Sequence, residues 1–373
     1  MIQFSNRRKD FDFYLFSTTL VLMFFGALTI WSADGGGPLS LGNLGVRQAV
    51  YGILGLALMF FVANVDYRFF ASFAWPIYGI SLAMLALVLV PSIGVEILGS
   101  RRWFDLRVAT VQPSEFAKLA TVVALATFIA SRGPAMRQPG NFLISLLIAG
   151  APMLLVFRQP DLGSSLVFAV IWIAMMLVAQ TRRIYLAAMA LMAAPAVLIA
   201  WEFLLQPYQR ARWLVFLDPM SDPTDQGFNI IQARISIGSG SWIGAGLEGG
   251  TQSRLGLLAV RESDFIFAHA SGMFGFLGML ALMASLAILL WRCLIVVETA
   301  RDNFGQCIAL GIAGMLFFQS FVNIGMNVGL MPVTGITLPF VSSGLSSLWS
   351  FLIAEGILQS ILMRHRKLAF QPS

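Results

Sequence analysis

Apolar residues in this chain come in nearly unbroken runs of about twenty, rather than at the spacing of an amphipathic helix or a half-buried strand. A helix that crosses the hydrocarbon layer of a bilayer needs about 20 mostly apolar residues. Segments 13–32, 46–65, 71–90, 112–131, 141–157, 162–180, 184–204, 266–290, 305–328 and 344–363 meet or approach that length, the fifth being short. One polar stretch, 205–264, is far longer than the others. The pattern predicts an all-α polytopic membrane protein with about ten transmembrane helices and one long loop between the seventh and eighth. Neither a linker nor a solenoid-type repeat interrupts it, so 1–373 reads as one membrane domain. Residues 1–32 begin like a signal sequence, but the apolar run is too long and nine more follow, which predicts an uncleaved first helix.

Composition agrees: 58% of residues are hydrophobic, 11% are charged and the mean hydropathy is +0.81. Soluble domains carry about 25% charged residues. Lys and Arg set the orientation, because they accumulate on the cytoplasmic side. With the N-terminus inside, the cytoplasmic set is Arg7, Arg8, Lys9, Arg68, Arg132, Arg137, Arg182, Arg183, Arg292, Arg301, Arg364, Arg366 and Lys367. The short external loops hold only Arg47, Arg101, Arg102, Arg107 and Arg158. The bias predicts N-in, C-in, with 205–264 outside. The net charge of +6 is then a topogenic signal and an attraction to anionic membrane lipids. Basic residues scattered over loops on both sides argue against nucleic acid. Cys293 and Cys307 flank a cytoplasmic loop and show neither metal spacing nor a prospect of an external disulfide.

In such a chain an ionised side chain at membrane depth costs at least about 2.5–3.5 kcal/mol unless paired or wet. Asp264, in Arg261-Glu262-Ser263-Asp264-Phe265-Ile266-Phe267, stands where the long loop re-enters apolar sequence. There a carboxylate can act on a polar substrate carried by a lipid. Gln112-Pro113-Ser114-Glu115-Phe116-Ala117-Lys118 opens the fourth segment as a helix start, with Glu115 and Lys118 one turn apart. Two roles are open for them, an internal salt bridge and a substrate or ion contact. Asp161, in Gln159-Pro160-Asp161-Leu162-Gly163, is either a helix N-cap or part of an external cavity shared with Glu115, Lys118 and Asp264. Carboxylates suit Mg²⁺ or Mn²⁺, which makes Asp161 and Glu115 candidate metal ligands. Arg102, in Arg101-Arg102-Trp103, suits a phosphate, while the neighbouring Trp suits an interfacial anchor. Asp66-Tyr67-Arg68 reads as structural, and Glu355 has no evident partner.

The long loop runs from Tyr208-Gln209-Arg210-Ala211-Arg212 through Gly238-Ser239-Gly240-Ser241-Trp242-Ile243-Gly244-Ala245-Gly246 to Gly250-Thr251-Gln252. Its glycines allow close approach to a ligand, without any nucleotide-binding signature. His269, five residues past Asp264, reads as packing or polar lining, so neither zinc nor a Ser-His-Asp triad is supported.

These words, in this order, resemble the SEDS family (shape, elongation, division and sporulation), the bacterial RodA/FtsW peptidoglycan polymerases. The resemblance is carried further by Asn323-Ile324-Gly325-Met326-Asn327, Pro332-Val333-Thr334-Gly335-Ile336 and Leu338-Pro339-Phe340-Val341-Ser342, so that it covers nearly the whole chain. It implies a glycosyltransferase that polymerises lipid II on the outer face of the bacterial cytoplasmic membrane, with a class B penicillin-binding protein as partner. It places Asp264 as catalytic acid/base and Arg102, Glu115, Lys118 and Asp161 on substrate-binding positions. Length and wording lean to the elongation, RodA-like branch. Two departures stand out: Gly272-Met273 where the family has two glutamates, and Ser342-Ser343-Gly344-Leu345-Ser346-Ser347 where it has Ser-Tyr-Gly-Gly-Ser-Ser. The alternatives are a lipid II flippase or transporter, a division-type (FtsW-like) polymerase, and a scaffold that recruits a transpeptidase. Against the flippase, neither paired broken helices nor an inverted repeat is legible.

Overall fold

The computed structural model describes residues 10–97, 99–107, 109–222 and 226–365. Five of the basic residues that set the predicted orientation (Arg7, Arg8, Lys9, Arg366 and Lys367) lie outside them. Helices stand at all ten predicted positions: α1 Phe13–Ala33, α2 Leu44–Asn64, α3 Phe69–Leu87, α4 Pro113–Arg132, α5 Pro139–Arg158, α6 Leu162–Met176 and α7 Arg183–Ile199 before the long loop, and three after it. Nine of the described helices are long and apolar enough to cross a membrane. The chain is a multi-pass membrane protein.

The short helix is the sixth, not the fifth. Pro139 takes the first position of α5 and starts it earlier than the apolar run, giving 20 residues. α6 has 15, a rise of about 22 Å. It stops early because its last turn tightens, Leu177 N–H donating to Ala174 O at 3.2 Å and Val178 N–H to Met175 O at 3.3 Å.

The long loop is itself built of helices: α8 Pro207–Leu217, α9 Gln226–Ser239 and the single turn α10 Thr251–Arg254. After it come α11 Ile266–Thr299, α12 Asn303–Val328 and α13 Leu345–Leu362. α11 is 34 residues long but broken at Gly275, whose φ of 61° no helix accommodates. α13, 83% buried over its apolar window, and α4 and α12, each 61%, form the centre. The other helices crowd around them. Gly356 of α13 is one reason they pack closely: a Cβ there would lie 2.6 Å from Met59 O of α2.

The two ends of the described chain meet. Gln359 of α13 accepts from Asp12 N–H and donates to Asp12 O, both at 2.9 Å. On the same face Tyr67 donates to Asp302 at 2.8 Å, and Arg364 donates to Ala63 O at 3.1 Å. This fits an even number of crossings, and it gives Asp66-Tyr67-Arg68 the structural role expected. On the opposite face, between α3 and α4, lies a small antiparallel sheet that the hydropathy pattern does not predict, β1 Val95–Ile97, β2 Ser100–Asp105 and β3 Thr110–Val111, with β2 central. Trp103 pairs with Val95 and Phe104 with Val111. The sheet holds Arg102 at a fixed place.

Candidate active site

Asp161 is the helix cap that its sequence position allowed, and it also pairs with a cation. Its Oδ1 caps α6, accepting from Ser164 N–H at 2.9 Å. Its Oδ2 lies 2.7 Å from Arg102 Nη1 on β2, with the carboxylate 1% exposed and the Arg side chain 19%. The Arg102 guanidinium also sits 4.7 Å from the centroid of the Trp103 ring. A cap, an ion pair and a ring face thus fix one cation at the rim of the bundle.

Asp264 lies in the turn that leads into α11, half-buried. Its backbone is clamped. The side-chain amides of Asn323 and Asn327, one turn apart on α12, donate to its carbonyl at 3.2 and 2.9 Å. Asn327 Oδ1 accepts from Ala268 N–H at 3.1 Å, while Asn323 also donates to Ile336 O at 2.8 Å. Ser342 donates to Ser263 O and Ser343 N–H to Glu262 O, both at 2.8 Å. The Asn323–Asn327 and Leu338–Ser342 words therefore hold the acid in place. Its carboxylate is left open: Oδ1 accepts from the Ser263 hydroxyl at 3.0 Å, and Oδ2 has no hydrogen-bond partner among the described residues.

Burial pushes the Asp264 carboxyl above the ordinary carboxylate range. The Ser263 hydroxyl and the charges of Arg102 and Arg212 pull it down, and the Asp161 charge adds a further upward push. These four charged groups, brought from β2, the start of α6, α8 and the start of α11, share one field. Loop 332–338 joins them. A Cβ at Gly163 would lie 2.9 Å from Thr334 O, so α6 is tight against this loop, and one at Gly335 would lie 3.6 Å from Asp264 Oδ2. Arg212 is the residue that sequence reasoning missed. It donates to Val333 O at 3.2 Å, and the available signal was the basic pair Arg210 and Arg212 in a stretch read as loop.

Glu115 and Lys118 pair with each other, 2.7 Å apart and 5% and 1% exposed. Among the described residues, neither forms a hydrogen bond or ion pair with Arg102, Asp161 or Asp264. Ser350 of α13 donates to Glu115 O at 2.8 Å, which ties the start of α4 to the bundle centre. Glu115 Oε2 is buried without a hydrogen-bond partner among the described residues. A resident cation fits poorly. Asp161 is taken up by Arg102 and Glu115 by Lys118, and no group of three His, Cys, Asp or Glu among the described residues is able to hold a metal.

Comparison with known proteins decides the family. Residues 13–367 match the family model for FtsW, RodA and SpoVE, described as cell cycle protein. The chain belongs to this family. It is 37% identical over 351 residues to the Escherichia coli (strain K12) peptidoglycan glycosyltransferase MrdB, covering 94% of this chain and 92% of the relative. A solved chain from a peptidoglycan synthase complex, described for its coordination of polymerization and crosslinking, superposes with a TM-score of 0.80 at 31% identity, covering 95% of this chain and 98% of that one. The crystal structure of the Thermus thermophilus rod shape determining protein RodA gives 0.69 at 29% identity, covering 94% and 96%.

Within this FtsW/RodA/SpoVE chain the glycine-rich loop has a use other than the ligand approach expected of it. It docks on the break in α11. Ala245 N–H donates to Gly272 O at 2.9 Å and Gly246 N–H to Met273 O at 3.0 Å, while Phe276 N–H donates to Ser241 O at 2.8 Å. The loop supplies the partners that the broken helix lacks. One half of the first departure, Gly272, sits where a Cβ would lie 3.3 Å from Gly250 Cα and 3.1 Å from Ser236 Oγ, too close for a larger side chain unless a neighbour gives way. A broken helix is thus present after all, but its freed backbone groups are occupied by the loop. His269 is buried and within 2.6 Å of Ser253 Oγ, a packing role as expected. Cys293 and Cys307 are free and buried. Glu355 is buried, with the Thr19 hydroxyl facing its carboxylate.

Proposed function

We propose that this chain is a RodA-like peptidoglycan glycosyltransferase that polymerises lipid II into β-1,4 glycan on the outer face of the bacterial cytoplasmic membrane. The observation that carries the proposal is Asp264: a rigidly held carboxylate with one oxygen open, in the field of two guanidinium groups. A sugar 4-hydroxyl is a poor nucleophile at neutral pH. Asp264 takes its proton as the new bond to the donor C1 forms, an effect typically worth about 10²–10⁴-fold. The bond from C1 to the pyrophosphate breaks on the opposite side, with inversion. Arg102 and Arg212 offset the charge that develops on the departing pyrophosphate, and Asp161 keeps Arg102 in position. Glu115 and Lys118 form a buried polar wall in which Glu115 Oε2 accepts a substrate N–H or O–H.

With Asp161 and Glu115 already paired, Mg²⁺ or Mn²⁺ would meet no complete set of protein ligands among the described residues, and the neutralisation of phosphate charge that such a cation would supply falls to Arg102 and Arg212. The partner is a class B penicillin-binding protein, by extension from the similar chain in a peptidoglycan synthase complex. The test is purified protein on lipid II, with Asp264→Asn as the variant. Glycan from the parent protein and none from the variant is expected, and equal polymer from both would remove Asp264 from the chemistry.

A further inference from the structure

A cavity of about 370 Å³ lies between the end of α1 and the turn before α11, apart from the Arg102–Asp161 pair. Trp31, Ser32, Arg254 and Arg261 line it, with Leu247 and Glu248 at its edge. Arg261 has no carboxylate within ion-pair distance among the described residues. It donates from Nε to Ala33 O at 2.8 Å and from Nη1 to Ser253 O, contacts that fix the guanidinium without cancelling its charge. Arg254 is paired at 2.8 Å with Glu248, which is 79% exposed, a weak arrangement in solvent. Ser32 is 8% exposed and lines the cavity, and its hydroxyl has no hydrogen-bond partner among the described residues. Two cations against one acid, with a buried hydroxyl idle, is a chemistry that suits an anion.

We propose that this cavity is a second pyrophosphate subsite, which holds the pyrophosphate-sugar end of the other lipid-linked saccharide while Arg102 and Arg212 hold the first. The inference rests on the transferase reading. Joining two lipid-linked saccharides brings two pyrophosphates to one enzyme, and like charges at one cation pair repel. The spacing is suitable: Arg261 is three residues before Asp264, so their Cα atoms are at most about 11 Å apart. Ser342 and Ser343 pin the residues between. The Trp31 ring offers an apolar wall for a sugar.

Asp264→Asn protein, which does not turn over, is titrated in detergent with farnesyl pyrophosphate, and bound equivalents are counted by native mass spectrometry. Two are expected. Ser32→Phe, which fills the cavity, and Arg254→Glu, which reverses its charge, should each leave one when added to Asp264→Asn, and Arg102→Ala should remove the other. In otherwise parental protein, Arg254→Glu should raise the half-saturating lipid II concentration about tenfold or more, the loss expected for one charge-assisted hydrogen bond. A single equivalent in Asp264→Asn protein overturns the subsite, as does retention of two in both cavity variants. No bound pyrophosphate at all, or no glycan from the parent protein, would instead sink the transferase reading beneath it.

Discussion

Asp12 and Asp264 sit at opposite faces of the bundle, each next to the start of a helix and each near an arginine. They differ in how far the protein fills their acceptor positions. A carboxylate has about four. Asp12 uses them all: Oδ1 accepts from Tyr14 N–H at 3.0 Å and Leu15 N–H at 3.1 Å, and Oδ2 from Arg292 Nε at 2.7 Å and Nη2 at 2.6 Å. Asp264 accepts one hydrogen bond on its side chain and spends its backbone carbonyl on the two asparagines. A saturated carboxylate is a structural part, whereas an open one that is held still has capacity for a substrate proton. Asp161, with one oxygen engaged by Ser164 and the other by Arg102, is nearer to Asp12 and positions a cation.

Four experiments probe this contrast. Asp264→Asn keeps the shape and the backbone clamp but removes the base, so lipid II polymerisation should fall about 10²–10⁴-fold with membrane insertion unchanged, as read by glycan on gels and by membrane fractionation. Asp12→Ala should do the reverse. It leaves Arg292 without its acid and costs about 3 kcal/mol of stability, visible as a lower Tm in detergent, with activity per folded molecule retained. A similar loss of polymerisation in both variants would erase the distinction.

Asn327→Ala removes one clamp on the Asp264 carbonyl and the acceptor for Ala268 N–H. A cost of about 1 kcal/mol per hydrogen bond is expected, with a lower kcat and little change in the lipid II concentration at half-saturation. The smallest effect is on pH dependence. The base works ionised, so the rate should rise with pH through a midpoint above the ordinary Asp value of about 3.9 and then level off. Arg212→Ala removes a charge that favours ionisation and should move that midpoint upward. An unchanged midpoint would mean that Arg212 does not face the acid.

The ten segments were legible because bilayer thickness imposes a length that few other constraints mimic. Their ends were less so. Pro139 lengthened α5 and a tightened turn shortened α6, both local effects that hydropathy does not register. The sheet at 95–111 was hidden because its strands are short and mixed in character and exist through pairing. Gly275 was hidden by apolar neighbours on both sides. For the site, the sequence marked Asp264, Asp161 and Arg102 as charges out of place, and the fold brings all three into one field. It also marked Glu115 and Lys118, which turn to each other instead. Arg212 was not singled out because a basic residue in a polar loop is unremarkable until a helix turns it inward.

The docking of residues 241–246 on the interrupted eighth span makes that part of the loop intolerant of changes in length. Inserting or deleting a residue there would shift every donor past its acceptor and leave peptide groups stranded at the edge of the lipid. A reporter tag belongs elsewhere, for example beside Leu39, which is 85% exposed. What looks in the sequence like a free connection behaves as a splint, and trimming it should unfold the helix it braces.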